Sequence, residues 1–240
     1  MGKSKTFLID LGNSNLEYYE LTQNGSLENQ CYIQTSEVDQ VQLNSVFSNS
    51  HCVISSVVPN LNKLFDLIPN CSVFFVDSAN VPLLRINIDT PSELGSDRIV
   101  TAFAAYKKYK KPCLIIDSGT ALTFCFVDSS GIYQGGVIFP GLKISSKALN
   151  DYTAQIPLIY VESVNSLIGK NTKQAVEVGL FNGFKYLING FISEYRLKYE
   201  DLKVVATGSA ISVLEPFLDV DVREDKLIFL GLRDIFLKKK

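Results

Sequence analysis

Ile9-Asp10-Leu11-Gly12-Asn13-Ser14-Asn15 and Ile116-Asp117-Ser118-Gly119-Thr120-Ala121-Leu122-Thr123 are the stretches whose reading decides the fold. Each ends an apolar run in an aspartate, then turns on a glycine followed by hydroxyl or amide side chains. An aspartate at a strand end can hold a hydrated cation. The glycine lets backbone N–H groups turn toward a phosphate with no Cβ in the way. Written twice, more than a hundred residues apart, the device predicts two lobes gripping one nucleotide.

Around the first turn, Phe7-Leu8-Ile9 reads as a strand, Leu16 to Leu21 as its hairpin partner, and Cys31 to Thr35 as a third strand completing a meander. Val38 to Phe47 is weakly helical, Cys52 to Val57 is a buried strand, Leu61 to Ile68 a short amphipathic helix, and Ser72 to Val76 another buried strand. Apolar runs alternating with helices indicate an α/β layer. After Pro112 the layout restarts: strand Cys113 to Asp117, turn, strand Leu122 to Val127, a turn, and strand Ile132 to Phe139. Internal duplication of a β-β-β-α unit is a fold signature, and it predicts lobes over 1–111 and 112–240. Gly135-Gly136 permits close backbone approach, and Leu142 to Leu149 continues as a helix.

A third polar cluster, Thr90-Pro91-Ser92-Glu93-Leu94-Gly95-Ser96-Asp97-Arg98, precedes a helix with Ile99, Ala102, Phe103 and Tyr106 at helical spacing. Asp97 and Arg98 therefore fall in or beside the first turn, where an aspartate also serves simply as a cap paired with its neighbour. A long helix over about Thr172 to Tyr195 carries Gly179, Gly183 and Gly190. The first two form a GxxxG spacing, read as internal packing or a subunit interface. The strand Val204-Val205-Ala206 then delivers Thr207-Gly208-Ser209-Ala210 to a helix from Ile211, and an amphipathic helix with Leu227, Leu230 and Ile235 closes the sequence.

A formal net charge of −2 gives no basic surplus of the kind nucleic-acid binding leaves. The runs Lys107 to Lys111 and Lys238 to Lys240 suit helix C-termini. Five scattered cysteines without a CxxC pair, and His51 as the single histidine, argue for free thiols in a reducing cytoplasm and against zinc. No apolar run approaches a membrane span. Met1 to Thr6 formally fits an N-myristoylation pattern. It is set aside because the first strand follows immediately.

Asp10-Leu11-Gly12-Asn13-Ser14-Asn15, Asp117-Ser118-Gly119-Thr120 and Thr207-Gly208 resemble the two phosphate motifs and the adenosine motif of the actin, hexokinase and Hsp70 ATPase superfamily. Ile54 to Pro59, Leu94 to Arg98, Gly135 to Gly141, Ala148-Leu149 before Thr153-Ala154, and Asn171-Thr172 narrow the resemblance to bacterial type III pantothenate kinase, in order from residue 7 to about 210.

The resemblance implies a two-lobed, duplicated ribonuclease H-like α/β fold and ATP-dependent phosphorylation of pantothenate, the first step toward coenzyme A. It implies that Asp10, Leu11, Gly12, Asn13, Ser14, Asn15, Leu16 and Glu17 cradle ATP, with Asp10 holding Mg²⁺ through water, and that Thr120 donates to a phosphate. Asp97 becomes the base that orients the acceptor hydroxyl. Gly95, Ser96, Asp97, Arg98 and Thr172 line the pantothenate pocket, with Arg98 a candidate for the substrate carboxylate, and Asp117 binds a monovalent cation, potassium or ammonium. It further implies a cytoplasmic homodimer, with neither nucleic acid nor membrane as partner. Two positions depart from the family pattern. Cys125 stands where an aspartate is usual, and Ser209 where a second glycine is common. They favour an alternative, a weak or inactive relative acting as a nucleotide-binding regulator or scaffold. A kinase for another small hydroxy acid or sugar is a second alternative on the same fold.

Overall fold

The strand that delivers Asp10, β1 (Lys5–Leu11), is the centre of a five-stranded sheet. It is apolar on both faces, as a central strand covered on both sides must be, with Leu8, Ile9 and Leu11 fully buried. The computed structural model describes residues 4–81 and 84–239. Met1 to Lys3 of the N-terminal pattern and Lys240 of the terminal lysine run lie outside the described residues.

From β1 the chain turns back through β2 (Asn15–Leu21) and β3 (Leu27–Gln34). It then alternates α1 (Gln40–Phe47), β4 (Ser50–Ser56), α2 (Pro59–Phe65) and β5 (Ser72–Phe75). A two-residue β6 (Arg85–Ile86) precedes α3 (Ser96–Tyr109). The sheet order is β3-β2-β1-β4-β5, antiparallel across β3, β2 and β1 and parallel across β1, β4 and β5. One face is filled by Phe7, Tyr18, Phe47 and Phe65, whose rings meet at 5.1–6.1 Å. Edge-to-face geometry of this kind adds to simple area burial.

The same order is built again from β7 (Cys113–Ser118), β8 (Ala121–Val127) and β9 (Ile132–Pro140). There follow α4 (Leu142–Asp151), α5 (Thr172–Lys198), β10 (Lys203–Thr207), α6 (Ile211–Leu214) and β11 (Val222–Arg223). The run β9-β8-β7-β10-β11 repeats strand for strand the directions of the first sheet. Its core is Leu114, Ile116, Phe124, Phe181, Ile188 and Val204, all fully buried. The helix expected from Ile211 is a single turn, because Pro216 has no backbone N–H to donate to the Ser212 carbonyl and the chain tightens into a 3₁₀ turn over Glu215–Phe217.

The last helix, α7 (Leu227–Lys239), departs from the expected division. Two compact units form, one running to Lys108 and resuming at Lys226, the other spanning Tyr109–Asp225. A lobe over 112–240 would hold α7 with the second half. Instead Leu227, Phe229, Leu232 and Ile235 are buried as α7 packs on β1 and β4. A Cβ at Gly231 would stand 2.6 Å from the Val100 carbonyl oxygen of α3. The glycine therefore sets this close approach.

Lys107 and Lys108 sit in the last turn of α3 and Lys238 and Lys239 in that of α7, where cations complement the helix dipole. Lys107 also pairs with Asp234 at 2.7 Å. Gly179, Gly183 and Gly190 are exposed on α5, and a Cβ at any of them would meet nothing within 4 Å. Packing inside the chain is therefore not their role.

Candidate active site

In the first unit the site grows from the β1–β2 turn. Asp10 stands opposite Glu17 and Leu11 opposite Leu16. Between them the Gly12 N–H donates to the Asn15 carbonyl oxygen at 3.0 Å. Thr35 pins this loop from outside: its N–H donates to the Ser14 carbonyl at 3.0 Å and its hydroxyl to the Gly12 carbonyl at 2.7 Å. Asn13, Ser14 and Asn15 stay exposed. The result is a fixed, outward-facing loop with polar side chains and turned backbone.

Side chains alternate across a strand, and Ile9 and Leu11 face the apolar core, so Asp10 projects from the opposite face. Its parallel neighbour on β4 is Ser55. The Ser55 hydroxyl lies 3.0 Å from that of Ser96, which also accepts from the Ser56 N–H at 2.7 Å and donates to the Ser56 carbonyl at 3.0 Å. Ser96 begins α3 and Asp97 follows it. Strand register and these hydroxyl contacts thus connect Asp10 to Asp97 at the C-terminal ends of β1 and β4.

Asp97 lies in the first turn of α3, where Oδ1 accepts from the Arg98 N–H at 2.7 Å. Burial raises its carboxyl above the ordinary range, and the Arg98 N–H and guanidinium oppose that rise only in part. Gly95 makes room for it. A Cβ there would come within 2.6 Å of Asp97 Oδ1.

The second unit repeats the construction. β7 delivers Asp117, whose row across the sheet is Thr207 on β10 and Thr123 on β8. The Gly119 N–H donates to the Ala121 carbonyl at 2.9 Å, and the Thr120 carbonyl accepts from the Gly141 N–H at 3.1 Å. The Thr120 side chain is left exposed. Two glycines close around this loop. A Cβ at Gly141 would stand 2.4 Å from the Gly119 and Thr120 carbonyl oxygens. One at Gly208, where φ is +93°, would stand 2.3 Å from Asp117 Oδ1. The Ala210 N–H donates to the Ser118 carbonyl at 2.8 Å, so the Thr207–Ala210 turn and the Asp117 loop form one structure. Beside it Leu142, Ile159, Ala210 and Val213 help line an apolar cavity of about 170 Å³.

Cys125 stands on the same sheet face as Asp117 and Thr123, one step deeper, opposite Ile115. It is buried and accepts a hydrogen bond from the Tyr133 hydroxyl at 3.4 Å. Ser209 is exposed. Thr172 is exposed in the first turn of α5, whose cap is Asn171 accepting from the Gln174 N–H at 2.9 Å. Asp10, Glu17 and Gly95 to Arg98 thus gather within the first unit, and Asp117, Thr120 and Thr172 belong to the second. Among the described residues no three His, Cys, Asp or Glu side chains cluster as a ready metal cage. A cation here would be held by single carboxylates, water and a bound phosphate, the manner in which Mg²⁺ is usually held.

Thr35, Ser55 and Gly141 are supports that the sequence reading missed. A threonine just past a strand and a serine within one carry no periodic signal. Ser55 and Gly141 stood in segments already singled out, Ile54 to Pro59 and Gly135 to Gly141, but neither was given a role there.

A family model described as Type III pantothenate kinase matches residues 6–194. A type III pantothenate kinase of Persephonella marina is 35% identical over 251 aligned residues, covering 95% of this chain and 96% of that protein. One from Listeria monocytogenes is 38% identical over 181 residues, covering 69% and 70%. Among solved structures, one described as a Baf family transcriptional activator from Campylobacter jejuni superposes with a TM-score of 0.69 at 22% identity, covering 97% and 98%. A ROK family glucokinase from Streptomyces griseus, in complex with glucose and AMPPNP, gives 0.52 at 10% identity, covering 97% and 99%. At these identities the two structures speak for the fold alone, which is actin/hexokinase-like.

Proposed function

The chain belongs to the type III pantothenate kinase family, and from that membership we propose that it transfers the γ-phosphoryl group of ATP to the primary hydroxyl of pantothenate, opening coenzyme A synthesis, with Asp97 as the base. The observation that carries the assignment of Asp97 is the row Asp10, Ser55, Ser96, Asp97 at the C-terminal ends of β1 and β4. It supports a phosphate-side carboxylate and an acceptor-side carboxylate serving one reaction.

Phosphoryl transfer passes through a loose transition state, so the protein's work is positioning and charge stabilisation. The Asp10 to Glu17 loop holds the ATP phosphates, and Thr120 donates to one of them. The apolar cavity at Ala210 and Val213 suits the adenine ring. Asp10 would hold Mg²⁺ through water, and Asp117, with Gly208 leaving its carboxylate room, would hold potassium or ammonium. When bound, these cations neutralise phosphate charge. Asp97 accepts the hydroxyl proton late in transfer, and its burial makes it a stronger base than a solvated aspartate. Arg98 engages the pantothenate carboxylate through its two-pronged guanidinium, beside Gly95 and Ser96, and Thr172 is a further substrate-binding candidate.

The exposed Gly179 and Gly183 on α5, against which none of the described residues packs, support a homodimer through that helix face. A cytoplasmic setting agrees with five free cysteines among the described residues.

The test is purified protein with ATP, Mg²⁺ and pantothenate, with and without potassium or ammonium. Pantothenate-dependent ADP release is expected. Its absence under every cation condition would favour the scaffold reading, and release with another acceptor would favour a different kinase. Asp97→Asn should lower kcat by about 10²–10⁴-fold, the usual contribution of a positioned base, while calorimetric ATP affinity stays near that of the parent. ATP affinity falling in step with kcat would remove Asp97 from the acceptor side.

A further inference from the structure

Outside the proposed active site the described residues hold one pair of thiols in contact. Cys52 on β4 and Cys71, the residue before β5, place their sulfurs 3.5 Å apart. The Ser50 hydroxyl lies 3.7 Å from each. The two strands run parallel, with Cys52 opposite Val73, so Cys71 stands two residues back on the same face and leans across to its partner. The turns before the strands are tied together. The Asn49 N–H donates to the Pro69 carbonyl at 3.1 Å, and the Asn70 side-chain amide donates to Asn49 Oδ1 at 3.1 Å. This tie sets the pair in register.

The two sulfurs differ in access. Cys52 is buried in the apolar core, whereas Cys71 is partly exposed. With no third metal-ligating side chain gathered among the described residues, the pair lacks the donor set that zinc requires. Sulfurs already in contact need to close by only about 1.5 Å to reach the bond length of about 2.04 Å.

We propose that Cys71 and Cys52 form a thiol–disulfide exchange site, with Cys71 as the attacking thiol and Cys52 as the resolving one. Cys71 thiolate attacks one sulfur of a small-molecule disulfide. That S–S bond breaks, a new one forms to Cys71, and the first small thiolate leaves with the electron pair. Cys52 then loses its proton to water and attacks the Cys71 sulfur, expelling the second small thiolate. Two protein thiols are oxidised and one external disulfide is reduced to two thiols. The division of labour agrees with acidity. The hydrogen bond with Cys52, together with that of Ser50, brings the Cys71 thiol down to about 7, while that hydrogen bond and burial push Cys52 well up. The reading is independent of the proposed kinase activity.

The experiment treats the full, reduced chain with oxidised glutathione, alkylates remaining thiols at intervals, and maps them by non-reducing peptide mass spectrometry. The expected product has a Cys52–Cys71 cross-link, two hydrogens lost, and no glutathione retained at Cys71. Cys31, exposed on β3, is the comparison and keeps its glutathione adduct. In Cys52→Ser the adduct at Cys71 should persist, and in Cys71→Ser no cross-link should form. Because the time course on the unsubstituted chain reports the exchange directly, the outcome stands even where a variant folds poorly. A persistent glutathione adduct at Cys71 in the unsubstituted chain would overturn the proposal. So would Cys52 and Cys71 both remaining alkylatable.

Discussion

Replacing Gly208 by alanine tests the second half of the site, because there a single methyl group meets the proposed machinery directly. The backbone at this position has φ +93°, a conformation that costs an ordinary residue roughly 1–3 kcal/mol. The added Cβ would stand 2.3 Å from Asp117 Oδ1 and 2.6 Å from the Ser118 carbonyl oxygen. The second is backbone at the end of a buried strand and gives little, so overpacking adds about 1–3 kcal/mol. We expect a loss near 4 kcal/mol, which for a chain of this size corresponds to a melting temperature lower by roughly 8–16 °C. Displacement of Asp117 should also weaken ATP binding by about tenfold or more, equivalent to 1.4 kcal/mol.

Gly190→Ala is the matched comparison. Its new methyl group meets nothing within 4 Å on an exposed helix face, and a helical glycine-to-alanine change stabilises by about 0.5–1 kcal/mol. Differential scanning calorimetry and ATP titration calorimetry on both variants should therefore give melting shifts of opposite sign, with ATP affinity altered only by the first. A Gly208→Ala protein that melts and binds ATP like its parent would refute the reading of Asp117, Ser118 and the 207–210 turn as one structure.

Ser96→Ala removes the hydroxyl that joins β4 to α3. It should destabilise by about 1–3 kcal/mol, the cost of leaving buried polar groups unmatched, and should lower kcat more than it raises the KM for ATP in steady-state kinetics. Thr35→Val deletes the bond to the Gly12 carbonyl. A melting temperature lower by the equivalent of about 1 kcal/mol and a raised KM for ATP are expected, and an unchanged KM would remove Thr35 from the loop's support. The raised pKa of Asp97, caused by burial, sets two pH trends. The proposed base role requires the ionised form, so kcat/KM should climb through an acid limb lying above the ordinary carboxylate range. Stability runs the other way: the contribution of Asp97 is fully present below the unfolded carboxylate value and is lost as pH rises through the raised folded one. Melting curves of Asp97→Asn should lack that decline and sit above the parent at neutral pH, and coincident curves would contradict the burial of the charge.

The elements were legible wherever local pattern alone decides them. The Asp10 and Asp117 turns, the hairpins behind them and the central apolar strands follow from period and from glycine, and the repeated layout after Pro112 anticipated the two sheets with the same strand order. Connections made at a distance were not legible. Nothing in Leu227 to Lys239 says that its partner is β1, some two hundred residues earlier, because an apolar helical face fits any apolar surface of suitable shape. The hydroxyl bridges of Thr35, Ser55 and Ser96 were hidden for a related reason. Serine and threonine are ordinary surface residues, and only the fold shows which of them touch.

The return of α7 to the first unit also fixes an order of events during synthesis. All of Tyr109–Asp225 leaves the ribosome before Leu227 does. The second unit can therefore reach its native state while β1 and β4 still lack the helix that covers them. Until then the nascent first unit shows water the apolar surface that Phe229 and Leu232 will later shield. Termination just short of α7 would thus release a finished second unit tethered to an aggregation-prone first one.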